Sequence, residues 1–425
     1  MPFGAMRHGF TYQAAGGGGG GEITETTLFE LTSAISGVYV SGWGGYQDSQ
    51  ITWQGTFNTN YGVFVVTWLN STRSTYYITP GVIDFTTGEI AMGSNVSIGN
   101  ANTAATTGFV IAAKPGSTYG LVGGPIWTGS AWNGTWKGYT LSGTATASTA
   151  SVPTVSLSSA LTHTTSTNFF SGNMTYAGND RFVFVNRYGS GDFTYSWFIN
   201  YAGSGTPSYF NSSVNYGTSR STGKTVSFYD GITSTLASSY SNTNGNNNNF
   251  TDLYISCASS SAEADFQDQD RLDCSPAVQI GGSLFTAAKA YDTSGTWIGM
   301  SGVYSAANGQ KLVAEKITSM NTSSISVSSG SVLSPTYKVQ TMDTVDSNGT
   351  VRGIVVNGAG TWMNDYTIDS STLAVTEGTP YQVSATGYLT YANIRNYVDP
   401  THGEWSLWGH NQGGSNLRIV AVKVV

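Results

Sequence analysis

Five carboxylates crowd one short stretch, AEADFQDQDRLDC at residues 262 to 274: Glu263, Asp265, Asp268, Asp270 and Asp273. Charges this close repel one another unless water or a cation screens them, and crowded hard oxygen ligands suit calcium. The spacing is not that of an EF-hand and lacks its central glycine, so a solvated acidic loop is the competing reading. Cys257 and Cys274 bracket the stretch and are the only two cysteines, which leaves one intramolecular pairing. A bridge there would stabilise the fold by about 3 kcal/mol in the chain-entropy model. Synthesis in a reducing cytosol would leave both thiols free. The four histidines, His8, His163, His402 and His410, show no His-x-x-x-His or Cys/His spacing of a zinc site. His402 and His410 flank Trp405 and Trp408 and read as residents of neighbouring strands. No Gly-x-Ser-x-Gly elbow appears, and no Lys-Ser/Thr follows the six glycines at 16 to 21 to make a phosphate loop. No catalytic residue and no cofactor other than calcium is expected, and the chain reads as a non-enzyme.

Aromatic residues in polar surroundings are the other chemical signal. GGPIWTGSAWNGTWKGY (123 to 139) carries Trp127, Trp132 and Trp136 with Asn133. Indole faces stack on sugar rings while neighbouring amides satisfy hydroxyls. A row of buried core aromatics has the same composition, so carbohydrate binding and core packing both remain open at this point.

Composition then limits the scaffold. Charged residues make up 10% of the 425, against about 25% in ordinary globular proteins. Disorder is excluded all the same, because 25 Tyr, 18 Phe and 11 Trp are what disordered chains lack. Aromatic and β-branched residues suit pleated sheets, and abundant Gly, Asn, Ser and Thr suit turns. The chain is expected to be all-β. With net charge -7 and no basic stripe, nucleic acid is an unexpected partner. No apolar run approaches the roughly 18 residues of a membrane span. MPFGAMRHGFTYQAA lacks the apolar core of a secretory signal, and cytoplasmic synthesis is expected.

One pattern recurs along the chain. YGVFVVTWLNSTRSTYYITPGVIDFTTGEIAMGS (61 to 94) alternates strand-like runs with small polar turns, and so do stretches at 108–127, 181–205, 283–306, 337–358 and 387–411. VIDFTTGEIAMGS (82 to 94) aligns without gaps with TIDSSTLAVTEGT (367 to 379). First strands would begin near 63, 109, 182, 284, 339 and 388. Such spacing suits four short antiparallel strands per unit, the size of a propeller blade. A single β-propeller of about six blades is expected over residues 22–425, with 231–283 either an insertion or a seventh, degenerate blade. TTLFELTSA (26 to 34) would supply the strand that closes the ring. A string of β-sandwich domains is the competing architecture. Ahead of the ring, Met1 to Ala15 and the glycine tract read as a tethered docking arm (1–21) with Phe3, Phe10 and Tyr12 as anchors and Arg7 for orientation.

These units resemble the degenerate propeller repeats of structural proteins in tailed-bacteriophage virions, especially tail and fibre components. The likeness lies in strand and turn patterns over about residues 60 to 425, together with the glycine tract behind a short arm. It implies a virion-borne, non-enzymatic role among other virion proteins in multiple copies, with host-surface polysaccharide as a further partner. A carbohydrate-binding, lectin-like propeller with equivalent pockets in its blades is the alternative. A glycan depolymerase using acidic residues at a blade interface is the third reading.

Overall fold

The computed structural model describes residues 26–39, 49–56, 60–101, 109–143 and 152–164, and from 169 to 424 the strands with some of their turns. From Phe169 to Ser329 many strands are described by backbone alone. Seven antiparallel sheets, each four strands deep, follow one another among the described residues. Blade 1 spans Ser49–Asn100, blade 2 Val110–Thr164, blade 3 Phe169–Asn215 and blade 4 Ser221–Gln279. Blade 5 spans Phe285–Ser329 and blade 6 Lys338–Ser384. Blade 7 joins the two halves of the chain: Leu389–Val424 provides three layers, and Thr26–Ser36 pairs antiparallel with Asn416–Val424 as the outermost strand. The innermost strands touch in sequence around a ring, and Arg395–Asp399 of blade 7 comes back against Ser49–Thr56 of blade 1. The fold is a closed β-propeller.

Burial explains why these residues form these layers. Every residue of Tyr61–Leu69, the second strand of blade 1, is buried. Phe64, Val66 and Trp68 enter the core shared with blade 7, beside Trp405, Leu407 and Ile419. The alternate residues Tyr61, Val63, Val65 and Leu69 enter the core shared with blade 2, beside Phe109, Ile111 and Val122. A strand covered on both faces reads as a continuous apolar run, and each fully buried Val or Phe contributes about 1.5–3 kcal/mol. Innermost strands differ, because their free edge meets the central opening and they mix polar with apolar residues, as in SQITWQGT at Ser49–Thr56.

That contrast corrects the phase of the repeat. The starts expected near 63 and 182 are second strands, and the inner strands of blades 1 and 3 are Ser49–Thr56 and Phe169–Tyr176. The strongest sequence signal came from the doubly covered strands. Residues expected to form an insertion or a seventh blade belong to blade 4, whose strands run Ser221–Tyr229, Thr233–Asn244, Asn247–Ser259 and Gln267–Gln279.

The gapless internal alignment has a structural cause. Asp84 Oδ1 accepts from the backbone N and hydroxyl of Thr86 at 2.8 and 2.6 Å. Asp369 Oδ1 accepts from the N and hydroxyl of Ser371 at 2.9 and 2.6 Å. Both aspartates close the turn between the third and outermost layers. The glycine nine residues on then donates back to the third strand, Gly93 to Pro80 and Gly378 to Asp365, each at 2.8 Å.

Candidate functional site

Charged side chains gather where blades 6, 7 and 1 meet. Arg352, in the second strand of blade 6, is 2% exposed. Its Nε and Nη2 donate to the two oxygens of Asp365 at 2.6 and 2.7 Å, the bidentate geometry that holds a guanidinium most firmly. Its Nη1 crosses to blade 7, donating to Glu404 and, at 3.3 Å, to Ser406 Oγ. Burial alone would lower the Arg352 pKa, but Asp365 and Glu404 outweigh it and the net shift is upward. Ser406 passes the network on to Asn396 Oδ1 at 2.7 Å, and Asn396 reaches blade 6 again, its N donating to Asp343 Oδ2 at 3.1 Å.

Asp343 and Arg395 belong to innermost strands. Protein packs densely about Asp343 and burial pushes its carboxyl pKa up, against the opposing pull of Arg395 and the Asn396 N–H. Yet Asp343 and Arg395 side chains each keep 27% of their surface open. Arg395 is fixed by one hydrogen bond, Nε to Ile51 O of blade 1 at 3.1 Å, and its Nη1 stands 4.0 Å from Asp343 Oδ1. Beside them Tyr397 and Thr56 share a hydroxyl contact, Thr56 also meets Asp399 Oδ2 at 3.3 Å, and His402 Nδ1 lies 2.7 Å from Asp399 Oδ1.

A second polar group joins blades 2 and 3. Lys114 Nζ lies 2.6 Å from Asp180 Oδ1 and from Tyr119 OH, and that hydroxyl donates to Asp180 at 2.5 Å. Burial would lower the Lys114 pKa, but Asp180 and Tyr119 outweigh it and raise it. Asp180 is displaced downward, since the same two partners outweigh its burial. All members satisfy one another, which is the pattern of a structural clasp.

The tryptophans fall into two classes. Trp127 and Trp132 are cross-strand partners at the tip of a blade 2 hairpin, half-buried, with rings 5.2 Å apart and edge to face. Trp136 is fully buried against Phe184 and Trp197, with 5.5 Å between ring centroids in each pair. It has no face left for a sugar, so core packing decides its role. Asn133 alternates onto the opposite face of the strand from Trp132, and its amide oxygen is buried without a partner among the described residues. It does not border the indole pair.

The acidic stretch yields a partial view. Asp268, Asp270 and Asp273 lie on strand Gln267–Gln279, where a solvated loop was the alternative to a calcium site; Glu263 and Asp265 lie outside the described residues. Among the described residues no group of three His, Cys, Asp or Glu could hold a metal, but the side chains of that strand are not among them. Cys257 pairs with Gln267 and Asp252 with Asp273. With about 3.3 Å per residue along a strand, this register sets the cysteines far beyond the roughly 7 Å Cα separation that a disulfide tolerates. The register therefore does not bring them together. His402 lies in the turn just before strand Gly403–Asn411 and His410 near the far end of that strand, rather than on neighbouring strands, so the two are not brought together. Phe3, Arg7, Phe10 and Tyr12 lie outside the described residues.

Sequence reading singled out none of Asp343, Arg352, Arg395, Lys114 or Asp180. A signal existed for one of them. In a chain with so few charges, an arginine inside TVRGIVVNG must be buried with carboxylates to match.

No family model matches the chain, and no curated protein matches it. Solved structures do resemble it. The polysaccharide lyase Uly1 superposes with a TM-score of 0.51 at 10% identity, over 94% of this chain and 99% of that one. The α-L-arabinanase of Penicillium chrysogenum gives 0.45 at 11% identity, over 93% and 98%. The β-propeller domain of the Trilobed protease from Pyrococcus furiosus gives 0.36 at 9% identity, over 88% and 93%. At these identities the likeness is one of fold.

Proposed function

We propose that the protein is a structural component of a tailed-phage particle, attached through residues 1–21 and contacting host-surface glycans without catalysing a reaction. The observation that carries this reading is where the chain enters the ring. Thr26–Ser36 is the outermost strand of blade 7, so the chain enters the described ring at its rim. Trp127 and Trp132 sit on one face at a hairpin tip, where a sugar ring has access to them.

Two features favour a non-catalytic role. Glycoside hydrolysis needs a pair of carboxyl groups able to act on the substrate. At the blade 6–7 interface Asp365 and Glu404 are both held by Arg352, and Asp399 by Thr401, His402 and the His402 ring. Most described blades lack an aromatic pair at the position of the indole pair: Leu69 and Thr75 flank the blade 1 tip, Asn411 and Asn416 the blade 7 tip, and blade 3 alone repeats one, in the backbone partners Tyr188 and Phe193. That disfavours a lectin with a pocket in every blade.

Mass spectrometry of purified particles tests the placement, with the chain expected among the virion proteins; its absence ends the proposal. Titration with a glycan found on an array tests the stoichiometry. One site at the Trp127–Trp132 hairpin is expected, and several equivalent blade sites would favour the lectin. Release of new reducing ends from host polysaccharide would overturn the non-enzymatic reading.

A further inference from the structure

We propose that Asp343 and Arg395 form a seat for the vicinal hydroxyls of a neutral sugar in the central opening of the propeller. This site is separate from the Trp127–Trp132 hairpin and is carried by different observations.

The position comes from the topology. Both residues belong to the innermost layer, Lys338–Thr344 of blade 6 and Arg395–Asp399 of blade 7. Their neighbours Val339, Met342, Ile394 and Asn396 are buried, whereas these two side chains keep 27% of their surface. Polar groups that are ringed by protein yet open to solvent face an internal opening.

Unused hydrogen-bonding capacity comes next. Arg395 spends only Nε, on Ile51 O, so among the described residues its Nη groups retain their donors. Asp343 spends Oδ2 on the Asn396 N–H and is also drawn by the Thr344 N–H. Its Oδ1 stands 4.0 Å from Arg395 Nη1, beyond hydrogen-bond reach, and two carboxylate oxygens keep capacity for a further donor. A donor and an acceptor held apart by that gap can both reach one intervening oxygen that accepts from the first and donates to the second. A hydroxyl does both, and a sugar ring offers two side by side.

Charge narrows the class. Asp343 and Arg395 carry opposite charges and leave the seat itself without a net charge, which favours neither a free anion nor a free cation. A metal ion is disfavoured by the guanidinium beside Asp343, and no group of three ligating side chains among the described residues could hold one. A neutral polyol remains. The seat itself is rigid, because Asn396 is locked to Ser406, to Asp343 Oδ2 and to the Asp343 backbone carbonyl, its Nδ2 donating to that carbonyl at 3.0 Å.

The test is titration of the full chain with maltose, cellobiose and lactose by saturation-transfer NMR and calorimetry. At least one disaccharide should bind, and D343N and R395K should each weaken it about tenfold or more, as expected for loss of a hydrogen bond to a charged group. The W127A/W132A double variant should bind as the wild type does. Asn at 343 can still accept from the Asn396 N–H, so D343N decides alone if R395K fails to fold. Failure of all three sugars to bind, or wild-type affinity in D343N, overturns the proposal. Binding lost in W127A/W132A but kept in D343N would place the sugar on the hairpin, which ends the central seat and leaves the proposed function standing.

Discussion

At the residue scale the decisive quantity is the cost of an unpaired buried charge. Arg352 holds Asp365 and Glu404 together across two blades. Removing one partner of a buried ion pair strands the other, at about 3–5 kcal/mol. R352A should therefore lose about that much in urea unfolding, and a loss below about 1 kcal/mol would show that water already screens the site. The turn aspartates act through protons instead. Hydrogen bonds from Ser371 and Thr372 depress the Asp369 pKa, and those from Thr86 and Thr87 depress Asp84 despite its burial. A carboxylate with a depressed folded pKa adds stability above its unfolded value, about 3.9, and loses it as pH falls through the folded value. The double variant D84N/D369N should thus flatten the fall in stability below about pH 4, as read by thermal melts in a pH series. An unchanged slope would show that other carboxylates set the acid limit.

At the element scale the closing strand Thr26–Ser36 carries most of the consequences. Phe29 stacks on Trp405 at 5.7 Å, and its ring occupies the space where Gly88 of blade 1 would carry a Cβ, 2.0 Å away. Gly88 also has φ +77, so the position demands glycine twice over. Deleting residues 22–36 should expose the edge of Asn416–Val424 and uncover the blade 7–blade 1 core. Limited proteolysis should then cut blades far from the deletion, whereas intact C-terminal blades would refute a cooperative ring. Glu30 pins the same strand, lying 3.2 Å from His410 Nε2 and accepting from Arg418 Nη1 at 3.1 Å. Burial lowers the His410 pKa, with Glu30 opposing and Arg418 assisting. The unfolded chain then binds more protons, so stability should fall as pH drops below about 6.5. H410Q should remove that part of the slope between pH 7 and 5, and an identical slope would assign it elsewhere. How much of this was legible follows from burial. The all-β class and the propeller were readable because strands such as Tyr61–Leu69 are covered on both faces and carry unbroken apolar runs. The inner strands of blades 1 and 3 were not readable, since residues such as Gln50 and Gln54 look like turn polar groups until their interblade partners are known, whereas the starts near 109, 284, 339 and 388 fall on inner strands. The clusters around Arg352 and Asp343 join residues up to 344 positions apart, and no local pattern encodes such a meeting.

At the scale of the whole molecule, side chains stitch the ring from blade to blade. Thr341 Oγ1 accepts from Ile394 N at 3.1 Å, Asn393 Oδ1 from Ile51 N at 2.8 Å, and Gln50 Oε1 from Ile111 N at 3.4 Å. Blades 6, 7 and 1 thus each hand a polar side chain to the free backbone edge of the next. Nothing in this chain of contacts involves residues before Thr26, and glycines 16 to 21 have no side chains with which to pack. Removing Met1 to Gly21 should therefore leave melting temperature and sheet content unchanged. It should nevertheless abolish incorporation into particles, because only 10% of residues are charged and the ring offers few ionic anchors. Ordering a peptide costs about 1–2 kcal/mol per residue in backbone entropy, so a single arm with Phe3, Arg7, Phe10 and Tyr12 as its contacts should bind weakly. Copies arrayed on a symmetric particle compensate through effective concentration. Arm-deleted protein added during assembly, with the particles then assayed for it, separates the two ends of the molecule. Exclusion is the expected result, and normal incorporation would move the docking surface onto the propeller itself.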